Sequence, residues 1–406
     1  MWVDKDLLFT RLPKGGRVFL FELSHESSNN PERCRAKSRL SRRIMPMQSM
    51  FSPTEIYIDK AVKDHKITKR ILDNLPDLPI TFIDDPQEIK IPEKHTEAKK
   101  KLLISPLKGE MLKVCQGQGD VCCQYHTIDL ITNCHLECSY CILQDYLQNN
   151  PIITIHPNVD EICDTIRKKT CENPGKKIRI GAGELSDSLA LDHITNFTTE
   201  CVALANELKD IVFEFKTKTT NIDNLLKLKH QGNVVVAWSV NPQSYIDIEE
   251  LKCAPLADRL QAARKCADKG YPIAFHFDPL LYYPDWQEQY DDVIQQISAL
   301  FKPEEIAWVS LGSLRFTPGL KKISMDRFPK SKIMTGEIVP MTDGKMRYFR
   351  PIREEMYTHL IAQLTKNIGK IPHYLCMETP LVWQRLFGHI PTLDEVEARV
   401  ATRFNS

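Results

Sequence analysis

From residue 126 onward the chain alternates short apolar runs with longer helical patterns, and this alternation constrains the fold more than any other feature. The apolar runs predict strands at residues 127–132, 177–181, 211–216, 234–240, 272–278 and 306–311. The helical patterns cover residues 159–169, 192–208, 222–230, 255–269 and 286–301. Strands without polar alternation are expected where both faces are covered, and strand–helix repeats give a parallel sheet with right-handed crossovers. Six such units predict an α/β fold that is a partial barrel rather than a complete eight-stranded one.

The segments on either side of this alternation predict additions to the barrel, which itself is expected over residues 126–330. Residues 1–48 contain a basic run and predict a poorly ordered basic N-terminal arm. The alternatives are an extension upstream of a true start at Met45, Met47 or Met50, and a nucleic-acid arm. Residues 49–125 combine a short strand at 55–59 with a helix near 64–75, which predicts an N-terminal α/β subdomain. Residues 331–406 leave the strand–helix rhythm and predict a C-terminal extension with a helix near 354–366.

The bulk composition limits where such a chain works and what it binds. Lys and Arg number 54, and Asp and Glu number 53, for a formal net charge of +1. A chain so close to neutral has no strong global field for nucleic acid, so any such binding must use local patches. No apolar run is long enough to cross a membrane. Because the 13 cysteines also fit reduced thiols better than disulfides, we predict a cytoplasmic protein with no membrane partner.

Three cysteines, Cys134, Cys138 and Cys141, follow the first predicted strand in a C-x3-C-x2-C pattern. Three thiolates on one short loop can hold three irons of a 4Fe-4S cluster, which leaves the fourth iron open for a small molecule. A zinc site is the alternative. Because zinc usually takes four ligands, it would recruit nearby thiols, namely Cys115, Cys122 and Cys123. The spacing resembles that of the radical S-adenosylmethionine (SAM) superfamily, in which the open iron binds the amino and carboxylate groups of SAM.

Small and polar residues follow the next three strands, where barrel active sites are built. We interpret six of them as candidates for binding SAM: Gly181, Gly183, Glu184, Lys218, Ser239 and Asn241. Glycines allow the backbone to approach a ligand, and the Glu184 carboxylate could accept hydrogen bonds from the SAM ammonium group. Lys218 could pair with the SAM carboxylate. The alternatives are an ordinary Gly-Ala-Gly turn and a solvated surface lysine.

Several motifs outside the cysteine loop carry a closer resemblance. They are Ser186-Asp-Ser-Leu-Ala-Leu-Asp-His193, Phe215-Lys-Thr-Lys218, Trp238-Ser-Val-Asn241, Gly270-Tyr-Pro272, Trp286 with Tyr290, Arg315-Phe-Thr317 and Phe328-Pro-Lys-Ser-Lys332. Through these motifs and the cysteine loop, about residues 50–365 resemble the spore photoproduct lyase family. The resemblance implies a partial (β/α)6 radical SAM barrel with N-terminal and C-terminal additions. It also implies SAM as cofactor, a 5′-deoxyadenosyl radical, and repair of a thymine dimer, 5-thyminyl-5,6-dihydrothymine, in DNA.

The resemblance further implies roles for individual residues. The three cysteines of the loop match the cluster ligands, and Lys218 and Ser239 match positions that contact SAM. Tyr140 matches a tyrosine near the radical pathway. Arg315 matches an arginine that approaches the lesion, where a guanidinium can bind a phosphate or a thymine carbonyl through paired hydrogen bonds.

The chain departs from the family pattern at two positions. Lyases carry a cysteine shortly before the Ser-Asp pair, and it returns a hydrogen atom to the thymine product radical; that position falls near Glu184 here. A carboxylate O–H bond is too strong to donate hydrogen readily. Either another thiol is the donor, or the substrate differs; the candidate thiols are Cys376, Cys115, Cys122 and Cys123. Ile142 stands where the lyase has a second tyrosine.

The leading hypothesis is therefore a radical SAM enzyme acting on damaged DNA, supplied with electrons by a partner such as a ferredoxin or flavodoxin. The runner-up is a radical SAM enzyme with another substrate, such as RNA or a small metabolite. A third hypothesis is a nucleic-acid-binding module stabilised by zinc or an iron-sulfur cluster. Residues 345–353 interleave charges with aromatics, as nucleic-acid surfaces do, although an amphipathic segment entering a helix has the same pattern.

Overall fold

The computed structural model describes residues 50–115, 117 and 119–404. The basic arm predicted at residues 1–48 lies outside the described residues. The strands are β1 Glu55–Asp59, β2 Ile80–Ile83, β3 Lys101–Ile104, β4 Lys113–Val114, β5 His126–Thr127, β6 Ile131–Thr132, β7 Glu137–Cys138, β8 Ile153–Ile155, β9 Ile178–Gly181, β10 Ile211–Thr217, β11 Val234–Ser239, β12 Glu250–Leu251, β13 Ile273–Leu280, β14 Ile306–Ser313, β15 Arg315–Phe316, β16 Ile338–Pro340, β17 Met346–Tyr348 and β18 His373–Leu375.

The helices pack around these strands and include several long crossovers. They are α1 Lys66–Asn74, α2 His95–Ala98, α3 Leu143–Tyr146, α4 Val159–Cys171, α5 Asp192–Thr195, α6 Phe197–Glu207, α7 Gln243–Glu249, α8 Leu256–Asp268, α9 Trp286–Leu300, α10 Pro318–Arg327, α11 Arg350–Asn367, α12 Pro380–Phe387 and α13 Leu393–Ala401. Over the described residues, none of the helices is both long and apolar enough to span a membrane.

The largest sheet has eight strands in the order β18-β14-β13-β11-β10-β9-β5-β4. Every neighbouring pair from β5 to β18 is parallel, and only β4 runs antiparallel at the edge. The middle strands are fully buried on both faces, as their apolar runs predict. The sheet therefore confirms the partial (β/α)6 barrel. The C-terminal extension adds β18 as a further parallel strand beside β14.

The first predicted strand, at residues 127–132, divides into two short strands in different sheets. β5 pairs with β9 in the barrel sheet, whereas β6 pairs antiparallel with β8. The division falls at Asp129, a buried carboxylate that forms an ion pair with Lys113 at 2.6 Å. β6 and β8 complete a five-stranded sheet in the order β2-β1-β3-β8-β6. This second sheet thus joins strands from before and after residue 126.

Two predicted helices differ from the structure, and asparagine residues mark both places. The helix predicted at 222–230 is wrong; only the short 3-10 turn Leu225–Lys227 forms. The amides of Asn221 and Asn224 instead donate to the carbonyls of Ala190 and Asp192, both at 3.1 Å. The pattern at 192–208 forms two helices, α5 and α6, because Asn196 between them adopts a left-handed conformation with φ 52°.

Candidate active site

A cavity of about 400 Å³ opens at the carboxyl ends of the barrel strands. One wall is the loop between β6 and α3, and the others are the residues that follow the successive strands of the barrel sheet. The lining includes Gly183, Glu184, Thr217, Lys218, Ser239, His276, Asp278, Arg315 and Cys376. Because parallel strands all end at this edge, residues far apart in sequence meet here.

The cysteine loop brings Cys134, Cys138 and Cys141 to this cavity, where all three form part of the lining. The loop is fixed at both ends. Asn133, with φ 73°, accepts a hydrogen bond from the Cys134 backbone N–H at 2.8 Å and donates to the Pro151 carbonyl at 2.6 Å. At the other end, β7 pairs antiparallel with β12, and Gln144 donates to the Cys138 carbonyl at 2.8 Å.

The donor set and its surroundings fit an iron-sulfur cluster. Burial raises the pKa of Cys134 to about 12 and also raises that of Cys141, so a proton or a positively charged group must neutralise each sulfur. The irons of a cluster would supply that charge, because a metal displaces the thiol proton. The Cys138 and Cys253 sulfurs lie 3.7 Å apart.

A zinc site finds no support among residues 50–115, 117 and 119–404. No group of three or more His, Cys, Asp or Glu side chains in that part of the chain is arranged to hold a single metal ion. A cluster does not require such a group, because each of its cysteines binds a different iron.

Tyr140 lies at the cavity wall and leads into a buried hydrogen-bond network. Its hydroxyl donates to Glu250, which forms an ion pair with Arg259 at 2.6 Å and accepts from the Asn241 amide at 2.8 Å. Burial and then the Glu250 charge raise the pKa of Tyr140 well above its ordinary value. The Lys218 ammonium lies 5.9 Å from the centre of the Tyr140 ring. Tyr140 is therefore held as a neutral phenol.

The structure brings together most of the residues that the sequence predicted for this site. The cysteine loop, Tyr140, Gly183, Glu184, Lys218, Ser239, Arg315 and Cys376 all line the cavity, whereas Gly181 and Asn241 do not. Asn241 points into the network with Glu250 and accepts a hydrogen bond from the Tyr290 hydroxyl at 2.7 Å. Gly181 is covered by Tyr125, because a Cβ atom at residue 181 would lie 1.4 Å from that hydroxyl.

Arg315, Asp278 and Cys376 form a contiguous group across the cavity wall. The guanidinium donates to both Asp278 carboxylate oxygens at 2.9 and 3.1 Å, and its Nη2 lies 3.5 Å from the Cys376 sulfur. Burial alone would raise the pKa of Asp278, but Arg315 lowers it to about 2. Gly312 leaves the space for this pair, since a Cβ atom there would lie 2.7 Å from the Asp278 carboxylate.

Sequence reasoning missed Glu214, which lines the cavity and lies 2.6 Å from the Nε2 atom of His276. Burial would raise the pKa of Glu214, yet His276 lowers it to about 2. A carboxylate within the apolar run at residues 211–215 of β10 was the available signal. Lys345 also reaches the cavity, from the turn between β16 and β17.

The interleaved segment at 345–353 serves mainly to anchor the fold. Arg347 and Arg353 are each 1% exposed and pair with carboxylates: Arg347 with Asp120 and Asp343, Arg353 with Glu378. Tyr348 is also buried. The interpretation of this segment as a nucleic-acid surface is therefore wrong for these three residues, because their polar groups are satisfied inside the protein.

A partial (β/α)6 barrel whose first strand leads into a C-x3-C-x2-C loop at the mouth of such a cavity defines a radical SAM enzyme, with a 4Fe-4S cluster and SAM as cofactors. The family model described as spore photoproduct lyase matches residues 51–368. The chain belongs to the spore photoproduct lyase family.

Individual relatives agree with this assignment. The spore photoproduct lyase of Bacillus subtilis (strain 168) is 26% identical over 302 residues, which cover 72% of this chain and 86% of that protein. The spore photoproduct lyase of Geobacillus sp. (strain Y412MC61) is 29% identical over 210 residues, 51% of this chain and 62% of the relative.

Solved structures share the fold. A spore photoproduct lyase variant with bound AdoMet and dinucleoside spore photoproduct has 22% sequence identity and a TM-score of 0.72, covering 82% of this chain and 100% of its own. A second lyase complexed with dinucleoside spore photoproduct has 22% identity and a TM-score of 0.71, with coverages of 80% and 99%.

Proposed function

We propose that this protein is a radical SAM lyase that repairs spore photoproduct, the thymine dimer of ultraviolet-damaged DNA. The observation that carries the proposal is that the three loop cysteines and the Arg315–Asp278–Cys376 group line one cavity. A cofactor held on one wall can thus meet a substrate held on the other. Membership of the spore photoproduct lyase family supports the same reaction.

In this proposal Cys134, Cys138 and Cys141 hold the cluster, which with SAM supplies a 5′-deoxyadenosyl radical when both are bound. Lys218 is suited to pair with the SAM carboxylate. Glu184, whose Oε2 accepts a hydrogen bond from the Thr127 hydroxyl at 2.6 Å, is suited to receive the SAM ammonium group. Gly183 and Ser239 border the same space. Gly181 and Asn241 contribute indirectly, by packing against Tyr125 and by hydrogen-bonding to Glu250.

Arg315 and Tyr140 complete the proposed catalytic set. Arg315 donates two hydrogen bonds to Asp278, and these bonds fix the position of its guanidinium before a substrate binds. The target thymines of a duplex would have to leave the base stack, because strand ends and loops surround the cavity. The buried phenol of Tyr140 excludes water beside the cluster loop and keeps the reacting atoms in a dry environment.

The proposal includes a cytoplasmic location and a low-potential electron donor of the ferredoxin or flavodoxin class. None of the twelve cysteines among the described residues forms a disulfide, which fits a reducing compartment. The donor follows from the chemistry, because reductive cleavage of SAM consumes one electron per event.

The test is an anaerobic assay of reconstituted protein with dithionite, SAM and an oligonucleotide carrying one spore photoproduct. Chromatography would follow 5′-deoxyadenosine and restored thymine. The proposal expects both products, and expects neither from the Cys141→Ala variant.

Another substrate, RNA or a small metabolite, is a second candidate because the position of the lyase donor thiol falls near Glu184, where the chain has no cysteine. Formation of 5′-deoxyadenosine without restored thymine would favour it and contradict the main proposal.

A further inference from the structure

We propose that Cys376 is the residue that returns a hydrogen atom to the thymine product radical. This inference rests on the proposed function and assigns the donor that the sequence lacks near Glu184. For this role the Cys376 sulfur must line the cavity that receives the substrate, and its position must be fixed. The donor must also be a cysteine other than the three proposed cluster ligands.

The reaction itself creates the need for a donor. Removal of one hydrogen atom from the dimer allows the carbon–carbon bond of the methylene bridge to break, which leaves the unpaired electron on a methylene carbon. A new C–H bond then forms as the Cys376 S–H bond breaks, and the sulfur becomes a thiyl radical. One electron from the low-potential donor and one proton from water return the thiyl to the thiol. Carboxylic O–H bonds are too strong for this step, whereas a thiol S–H bond is weak enough.

Cys376 comes directly after β18, at the carboxyl end of the strand that the C-terminal extension adds to the barrel sheet. Its backbone N–H donates to the Leu311 carbonyl at 2.7 Å. The next residue, Met377, has φ 50°, a conformation that is unusual for a residue other than glycine. Such conformations persist only where the surroundings enforce them, and they cluster at functional sites.

The contacts that hold Met377 in this conformation are made by the next residue, Glu378. Glu378 is 1% exposed, accepts hydrogen bonds from Arg353 at 3.1 and 3.2 Å, and bridges to Val121. The backbone is therefore fixed both before and after the turn. The Cys376 side chain is held in the cavity lining, with its sulfur 3.5 Å from Arg315.

The competing thiols are less well placed. Cys122 does not line the cavity; its sulfur accepts a hydrogen bond from the Gly117 backbone N–H at 3.0 Å. Cys115 and Cys123 do line it. Of the cavity thiols that the structure describes, however, Cys376 is the one hydrogen-bonded to Arg315, the residue proposed to hold the lesion.

The first experiment uses the reconstituted full chain in D2O, with the spore-photoproduct oligonucleotide and mass spectrometry of the restored thymine. The wild-type protein should place one solvent-derived deuterium in the thymine, because a thiol hydrogen exchanges with water. Cys376→Ala and Cys376→Ser should each lower labelled thymine by about tenfold or more, one decade being about 1.4 kcal/mol of barrier. The serine variant matters because it keeps a polar group at the site and lacks only the weak bond.

A second variant separates the donor role from a structural one. Glu184→Cys, added to Cys376→Ala, places a thiol at another lining position of the cavity. It should recover labelled thymine per 5′-deoxyadenosine formed, a ratio that corrects for any loss of SAM binding when the Glu184 carboxylate is removed. Iron content, 5′-deoxyadenosine formation and binding of the oligonucleotide by the cluster-free protein should stay within about twofold of wild type in Cys376→Ala and Cys376→Ser. Cys171→Ala, at an exposed site away from the cavity, serves as the matched thiol control.

Full deuterium incorporation by Cys376→Ala would overturn the inference, as would loss of the label in Cys115→Ala or Cys123→Ala instead. Wild-type levels of labelled thymine from Cys376→Ser would also overturn the inference, since a hydroxyl can replace a polar contact but cannot act as the hydrogen-atom donor. Failure of the wild-type protein to restore thymine is a different result, because it would contradict the proposed function itself.

Discussion

Single residues shape the part of the cavity wall that Asp278, Arg315 and Cys376 form, which we call the substrate wall. Asp278 and Arg315 hold each other through two hydrogen bonds, and Gly312 on the neighbouring strand β14 leaves the room they occupy. The site therefore depends on one residue that offers no functional group at all.

Gly312→Ala is expected to displace this pair, because the new methyl group would lie 2.7 Å from the carboxylate carbon and 2.9 Å from the guanidinium. Overpacking of this kind costs about 1–3 kcal/mol of unfolding free energy, and thymine formation should fall with it. Urea unfolding and the repair assay measure the two effects. Gly336→Ala is the matched control, since no atom lies within 4 Å of its added Cβ; equal behaviour of the two variants would contradict the prediction.

For single residues, the sequence predicted which residues lie near the site better than it predicted which of them line the cavity. The cysteine loop, Lys218, Ser239 and Arg315 could be proposed because they follow strands or match a motif, and they do line the cavity. Asn241 and Gly181 follow strands as well, yet they are not part of the lining. Asn241 bonds to Glu250 and Gly181 is covered by Tyr125, and neither contact can be located from spacing alone.

Among the elements, helix α10 fixes the cysteine loop from outside the barrel. Arg327 at its end donates to Glu137 at 2.6 Å and also to Gln144, which in turn binds the Cys138 carbonyl. Lys99 lies 3.8 Å from the same buried Glu137. The loop that carries the cluster ligands is thus oriented by a helix nearly two hundred residues further along the chain.

Arg327→Met should loosen this loop, because it leaves Glu137 and Gln144 with unmet hydrogen-bonding capacity, at a cost of about 1–3 kcal/mol. We expect lower iron content after reconstitution and a lower melting temperature. Lys322→Met, at an exposed position of the same helix, should change neither quantity. Iron loading by Arg327→Met equal to that of wild type would show that the loop does not need this anchor.

The strands β10 and β13 carry the Glu214–His276 pair, which makes stability depend on acidity. The folded-state pKa of Glu214 is about 2, below its ordinary 4.5. The stabilisation from its ionised form is therefore complete above about pH 4.5 and is lost as the pH falls toward 2. Urea midpoints measured at pH 5, 4 and 3 should fall more steeply for wild type than for Glu214→Gln. Glu288→Gln, on the exposed face of α9, should follow wild type.

Prediction of strands and helices succeeded where packing demands regular apolar spacing over a long segment, and it failed for short segments held by long-range contacts. The strands buried on both faces and the long crossover helices α4, α8 and α9 matched their patterns. At residues 222–230 only a 3-10 turn forms, and the side chains of Asn221 and Asn224 bond to the neighbouring α5 region. β18 escaped notice because a three-residue strand carries almost no periodic signal.

Across the whole molecule, the buried Arg353–Glu378 pair joins three parts of the chain. Arg353 lies on α11, Glu378 follows β18, and Glu378 also bridges to Val121 ahead of the barrel. Segments that come before and after the barrel strands therefore meet at this pair, next to the residue pair Cys376–Met377 of the cavity lining.

Arg353→Met should destabilise the protein by about 3–5 kcal/mol, because it leaves Glu378 charged and buried without its partner. Arg385→Met should cost less than about 1 kcal/mol, because the Arg385 side chain is 55% exposed and Arg350 also pairs with its partner Glu354. Chemical unfolding of the two variants side by side measures the difference. A similar loss of unfolding free energy in both variants would show that the buried Arg353–Glu378 pair does not hold these parts of the chain together.

The burial of Arg347 and Arg353 has a consequence for how this protein can meet a polyanion. Arginines already neutralised by internal carboxylates displace no sodium or potassium from a nucleic-acid backbone. Of the basic residues in the segment 345–353, Lys345 and Arg350 are the two with side chains that are more than 20% exposed. Replacing both should change the slope of log affinity against log salt by at most about 2. A steeper overall slope in fluorescence anisotropy would have its origin elsewhere, for instance in the basic run between Arg33 and Arg43.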